Sequence, residues 1–250
     1  MVYNIRDIAK MIDHSLLHPT MTDEELRAGC DIAKKYHTAS VCIKPYAVKK
    51  AAEWLRGSGV PVCTVIGFPH GSHTTDIKVA ECKQACEDGA AEIDMVVNIG
   101  KVLSGDWGYI TEEIRLINAE AARHGAIVKV IFENDYLKDE HKIRLCGICS
   151  AIPVAFVKTS TGYGYLKGDD GKFFTRGATL DDVKLMRKHS SPGVEVKAAG
   201  GIRTLDELIR MRDAGATRIG ATATAVIIEE AKKRAGMASS EVKTEDAGSY

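Results

Sequence analysis

Several things this chain lacks narrow its class before any motif is considered. It has no excess of charge: 34 Lys and Arg residues face 34 Asp and Glu residues over 250 positions, for a formal net charge of zero. A neutral chain without a polybasic run has nothing with which to neutralise a nucleic-acid backbone or grip an anionic membrane. Nucleic acid and membrane are therefore not expected partners. It also lacks any apolar run near the roughly 20 residues that cross a bilayer, and its N-terminal MVYNIRDIAKMID has no secretory hydrophobic region. The expected compartment is the cytoplasm. An even cysteine count is missing too: seven cysteines in a long chain fit free thiols in a reducing compartment better than a disulfide framework. Cys146 and Cys149 form a C-x-x-C, but no second pair completes a zinc site, and IRLCGICSAI reads as a helix running toward an apolar strand, so core packing is expected. His14 and His18 lie four apart and His70 and His73 three apart, which raises a metal-dependent chemistry. The first pair spans a strand and a Pro rather than a helix face, so neither metal nor cofactor is expected.

What is present points to one sizeable core. Hydrophobic residues make up 45% and charged residues 27%, with a mean hydropathy of -0.12. Short β-branched runs alternate with longer segments of helical period along the whole length. Strands are expected at Ile12–Leu16, Ser40–Ile43 and Val62–Ile66, and near 92–97, 127–132, 155–158, 194–198 and 217–219. Helix starts are marked where an N-cap hydroxyl precedes early acid, at Thr22, Thr74, Thr179 and Thr204. Eight strands with helical crossovers predict an α/β fold, a (β/α)₈ TIM barrel forming a single domain over residues 1–235, with a doubly wound open sheet as the competing layout. Residues 236–250, small and polar up to a final Tyr, are expected to form a flexible tail. Residues 162–177 read as a long Gly-rich, charged loop directly after a strand, the kind that serves as a lid or binding loop.

Strands buried on both faces should be almost continuously apolar, so charge inside them needs a reason. Asp94 interrupts EIDMVVNI, Lys129 interrupts IVKVIFE, Lys158 ends AFVK and Lys197 ends VEVK. The plain structural reading pairs the lysines with Asp94, Glu133 and nearby carbonyls. Lys158 and Lys197, however, sit where strand becomes loop, the face on which barrel active sites are built. On consecutive strands about 4.8 Å apart, two such amines share a partly desolvated space. An ordinary lysine, with a pKa of about 10.4, is protonated at neutral pH, and burial with a cationic neighbour favours the reactive free amine. A second constellation lies beside them. Gly200 and Gly201 follow the seventh strand and Gly220 the eighth, each leading into a helix, an arrangement that barrels use to bind phosphate with backbone N–H groups.

The strings FVKTSTG, EVKAAGGIRT, EIDMVVNIGK, SVCIKP and VIGFPHG together resemble the deoxyribose-phosphate aldolase family, metal-free class I enzymes of (β/α)₈ fold, over nearly the whole chain. The resemblance implies reversible cleavage of 2-deoxy-D-ribose 5-phosphate to acetaldehyde and D-glyceraldehyde 3-phosphate. Carried over residue by residue, it implies Lys158 as Schiff-base nucleophile, Lys197 as its activating cation, Asp94 as proton donor and acceptor, and Asp13 as acidic helper. Tyr250, at the chain end, matches a tyrosine that in some members assists proton transfer at the enamine carbon. Gly162, Gly200, Gly201, Arg203, Gly220 and Thr222 fall at phosphate-binding positions. The chain departs from the family at Thr222-Ala223, where members often carry two serines, and at Tyr163, where some carry a lysine; its loop after Lys158 is also longer. The expected partners are sugar-phosphate and aldehyde substrates, with a homodimer on family analogy. An aldolase for another sugar phosphate, or a barrel that binds a sugar phosphate without turning it over, are the alternatives.

Overall fold

A computed structural model describes residues 4–237; Tyr250 and the rest of the expected tail beyond Met237 lie outside the described residues. Ten strands are present among them: β1 (Ile12–Leu16), β2 (Ser40–Ile43), β3 (Val62–Ile66), β4 (Ala90–Val96), β5 (Ile127–Ile131), β6 (Phe156–Lys158), β7 (Leu166–Lys167), β8 (Phe173–Phe174), β9 (Glu195–Ala199) and β10 (Arg218–Ala221). All but β7 and β8 are parallel and close into a barrel in the order β1-β10-β9-β6-β5-β4-β3-β2. The barrel, not the open sheet, is therefore the fold, and the eight expected strands fall within two residues of those observed.

Ten α-helices of the described residues connect and flank the strands. They are α1 (Ile5–Ala9), α2 (Asp23–Tyr36), α3 (Val48–Trp54), α4 (Thr75–Glu87), α5 (Ile99–Leu103), α6 (Trp107–Arg123), α7 (Asp139–Ala151), α8 (Leu180–His189), α9 (Leu205–Asp213) and α10 (Thr224–Arg234). The caps read from sequence are in place. Thr22 and Thr204 form capping boxes with Glu25 and Glu207, and the Thr179 hydroxyl accepts from Asp182 N at 3.1 Å. Thr74 stands at the N-cap of α4 but makes no side-chain cap bond. Cys146 and Cys149 are buried thiols on α7, as packing residues should be.

Alternation along the strands splits the apolar residues into two bodies. Outward residues such as Ile93, Met95, Val128, Val130, Val157 and Val196 join the inner faces of the helices in one large core. Inside the barrel, among the described residues, Cys42, Cys63 and Val65 form a separate small cluster, covered by Leu17 and Phe68. The other inward positions alternate between charged residues such as Asp94, Lys129, Lys158 and Lys197 and buried uncharged ones such as Val96, Ile131 and Phe156. The loop after β6 is not shapeless: β7 and β8 pair antiparallel in it, and Asp135 accepts hydrogen bonds from Arg176 N at 2.8 Å and Gly177 N at 3.2 Å. A Cβ on Gly177 would stand 2.6 Å from Gly200 O, so this contact admits only glycine. Among the described residues no helix is long and apolar enough to cross a membrane.

Candidate active site

Parity and register place the candidates carried by strands. Asp94 and Lys129 are paired across β4 and β5, while Lys158 and Lys197 are paired across β6 and β9. All four side chains are buried, as is Asp13 on β1. Lys158 Nζ donates to Asp94 Oδ2 at 2.8 Å, and Lys197 Nζ donates to the same oxygen at 2.7 Å. One carboxylate oxygen thus sits between the two amines, and Lys197 makes a further ion pair with Asp13 Oδ2 at 2.6 Å.

These contacts belong to a ring of alternating charge that crosses the barrel. From Lys197 it runs through Asp13 to Arg218 (2.7 Å), on to Glu92 (3.1 Å), then Lys129 (2.6 Å), Asp94 (2.8 Å) and back to Lys197. Three carboxylates and three cations balance within the ring. Lys158 hangs outside it, and among the described residues its ion pair is with Asp94. Burial opposes charge on Asp94, yet Lys129, Lys158 and Lys197 outweigh it and hold the carboxyl well below the usual carboxylate range. Asp13 is lowered in the same way: against burial, Lys197, Lys129 and Arg218 keep it ionised. Burial also opposes charge on Lys197 and Lys129, but Asp13 and Asp94 raise the first and chiefly Asp94 the second above the ordinary lysine value. Lys197 is therefore a fixed cation beside Lys158.

Above Lys158 opens a cavity of about 410 Å³. Lys158, Gly162, Gly200, Gly201, Arg203, Gly220 and Thr222 all line it, so the six expected phosphate residues share one space with the expected nucleophile. Asp94, Asp13 and Lys197 do not line it, and Asp94 is tied to it through Lys158. Gly200 and Gly201 adopt φ of +94° and +82°, the left-handed region in which glycine is favoured and backbone N–H groups can turn toward an anion. The N-terminus of α9 is already closed by its capping box, whereas α10 has Ala223 at its N-cap and no side-chain cap bond. Tyr163 packs edge-on against Phe68, with ring centroids 5.5 Å apart.

His14 Nδ1 shares a hydrogen bond with Thr224 Oγ1 and His18 Nδ1 with Thr20 Oγ1, and among the described residues no group of three or more converging ligand atoms includes a histidine. Two groups of described residues bring ligand atoms together, Cys42 with Cys63 and Asp94, and Asp13 with Cys63 and Glu92. Ring cations already sit on the carboxylates of both, and a divalent ion would have to displace them. Sequence reasoning missed Glu92, Arg218 and Cys63, whose Sγ lies 3.2 Å from Asp94 Oδ1. Parity could have found two of them, since Glu92 is two residues from Asp94 and Cys63 two from Val65 on inward-facing positions. Glu133 is not the lysine partner that the sequence suggested; its Oε2 accepts from Thr161 N at 3.1 Å instead.

A closed (β/α)₈ barrel with buried lysines sharing a carboxylate beside a glycine-lined cavity has the form of a barrel lyase. The family model described as DeoC/LacD family aldolase matches residues 8–239, and the chain belongs to that family. It is 51% identical to a deoxyribose-phosphate aldolase of Rhodopirellula baltica over 248 residues, covering 99% of both chains. With the protein of that name from Caldanaerobacter subterraneus it shares 47% identity, over 92% of this chain and 96% of the other. Among solved structures, a tetrameric deoxyribose phosphate aldolase from Aeropyrum pernix superposes with a TM-score of 0.82 at 30% identity, covering 92% of this chain and 93% of that one.

Proposed function

We propose that this aldolase reversibly cleaves 2-deoxy-D-ribose 5-phosphate to acetaldehyde and D-glyceraldehyde 3-phosphate through an imine on Lys158. The observation that carries the reading is the position of Lys158: outside a ring that is neutral without it, bound to Asp94 and facing the cavity. The Lys158 amine adds to the C1 aldehyde of the open-chain sugar, and loss of water leaves an iminium. Asp94, acting with Lys197, moves the protons of that addition and dehydration. The C3 hydroxyl then gives up its proton and becomes the aldehyde of the departing glyceraldehyde phosphate, while the C2–C3 electron pair passes into the iminium as an enamine. Protonation at C2 and hydrolysis release acetaldehyde and restore the amine.

In this reading Asp13 fixes the Lys197 charge from below. The phosphate rests on the turns of Gly162, Gly200, Gly201 and Gly220 with Arg203 and Thr222 beside them, near the uncapped start of α10. Tyr250 is assigned the proton transfer at the enamine carbon. Its deletion should lower kcat and slow proton exchange at the acetaldehyde methyl group without moving the melting temperature; wild-type exchange would remove it from the mechanism. The chain is assigned to the cytoplasm and to a homodimer, which light scattering tests.

Borohydride reduction in the presence of acetaldehyde tests the central claim. The expected result is a stable ethyl adduct that peptide mapping places on Lys158. Turnover without any lysine adduct would mean an isomerase, and neither adduct nor turnover would mean a binding barrel.

A further inference from the structure

Glu133 stands two residues beyond the end of β5, where its neighbours continue the sheet: Phe132 N donates to Lys158 O at 3.0 Å and Asn134 N to Thr159 O at 2.9 Å. Between those two bonds Glu133 takes a φ of +57° and ψ of 68°, a left-handed conformation that costs a non-glycine residue roughly 1–2 kcal/mol. Glycine would relieve that strain, so the side chain is what the position retains. The residue is only 1% exposed. Its Oε2 accepts both the backbone N–H and the hydroxyl of Thr161, and Thr161 Oγ1 in turn accepts from Tyr163 N at 2.9 Å. The other carboxyl oxygen, Oε1, is buried with no hydrogen-bond partner among the described residues. One carboxyl group therefore holds three consecutive residues, with Gly162 at φ +84° between the two that are bound. Thr161, Gly162 and Tyr163 all line the cavity above Lys158, while Glu133 itself does not.

We infer that Glu133 is a positioning residue for anion recognition: by clamping Thr161 and, through it, Tyr163, it holds the Gly162 turn in the conformation that presents its peptide to the substrate phosphate. The inference rests on the proposed sugar-phosphate reading. Burial pushes the Glu133 carboxyl above the usual carboxylate range despite the Thr161 bonds, as expected of a group retained in an unfavourable place for the bonds it accepts.

The test compares E133M, which fills the space without an acceptor, with E133Q, which restores an acceptor oxygen. Steady-state kinetics are measured on 2-deoxyribose 5-phosphate and on unphosphorylated 2-deoxyribose, with inorganic phosphate as competitive inhibitor and melting temperature as control. In E133M, kcat/KM for the phosphorylated sugar is expected to fall at least tenfold more than for the unphosphorylated one, chiefly through KM. The phosphate inhibition constant should rise in step, and E133Q should regain most of both. Equal losses on the two sugars, or an E133Q as impaired as E133M, would overturn the positioning role. A wild-type enzyme that turns over 2-deoxyribose 5-phosphate no better than 2-deoxyribose would instead overturn the sugar-phosphate reading, and this inference with it.

Discussion

At the scale of single residues, Lys158 and Lys197 are adjacent in register but differ in their surroundings, and their substitutions should differ in kind. Lys158→Ala removes the electron sink, for which no neighbouring group can substitute, so kcat should drop by more than about 10²-fold with the fold intact by circular dichroism. Retention of a larger fraction of the rate would end the nucleophile assignment. Lys197→Leu removes a fixed positive charge from the oxygen that Lys158 also touches. Turnover should therefore fall by more than about 10²-fold while borohydride still traps an adduct on Lys158. Turnover close to wild type would separate the two lysines functionally. His14 adds a prediction about stability. Burial lowers its value from 6.5 to about 4, so between those pH values the unfolded chain takes up a proton that the folded chain refuses. Its contribution is whole above pH 6.5 and is lost as pH falls toward 4, by roughly 3 kcal/mol at about 1.4 kcal/mol per pH unit. Urea unfolding of His14→Gln should therefore depend less steeply on pH in that window, and an unchanged slope would refute the account. Asp94 and the three lysines were legible in the sequence because charge interrupts strands that are otherwise apolar. Arg218 and Glu92 were not, because a charge at the first residues of a strand also suits a solvent-facing rim.

At the scale of elements, the strand carrying Asp94 is held from outside by a buried ion pair. Lys78 on α4 donates to Glu113 on α6 at 2.7 Å and to Val96 O at 2.8 Å, while Glu113 accepts from Asn98 N at 3.0 Å. Both helices are thereby fastened to the end of β4. Burial works against both charges, lowering Lys78 and raising Glu113 relative to their ordinary values. Removing one partner strands the other, so Glu113→Leu should cost about 3–5 kcal/mol in urea unfolding, and the double variant with Lys78→Met should cost less than the single. Equal losses would mean that the backbone bonds, not the ion pair, matter. The barrel strands were legible because parallel strands are short apolar runs between capped helices. The paired segments β7 and β8 were not, since two residues each, with Phe173 and Phe174 largely exposed, give no alternation to read. Nor was α1, whose five residues span less than two helical turns.

At the scale of the whole molecule, the barrel could be anticipated by counting strands, but its interior could not, because the sequence does not say which charges will meet across the axis. The separation of the two apolar bodies has a consequence for how this protein can change. Outward residues such as Ile93, Met95 and Val130 hold the shell together. The uncharged inward residues Cys42, Val65, Val96, Ile131, Phe156 and Ala199 do not join that main core. A substitution library confined to those inward sites should explore new aldehydes and new rates while most of its members still fold. A library of equal size on the outward sites should yield mainly insoluble protein. The ratio of soluble expression between the two measures how far heredity can vary this enzyme's chemistry without renegotiating its architecture.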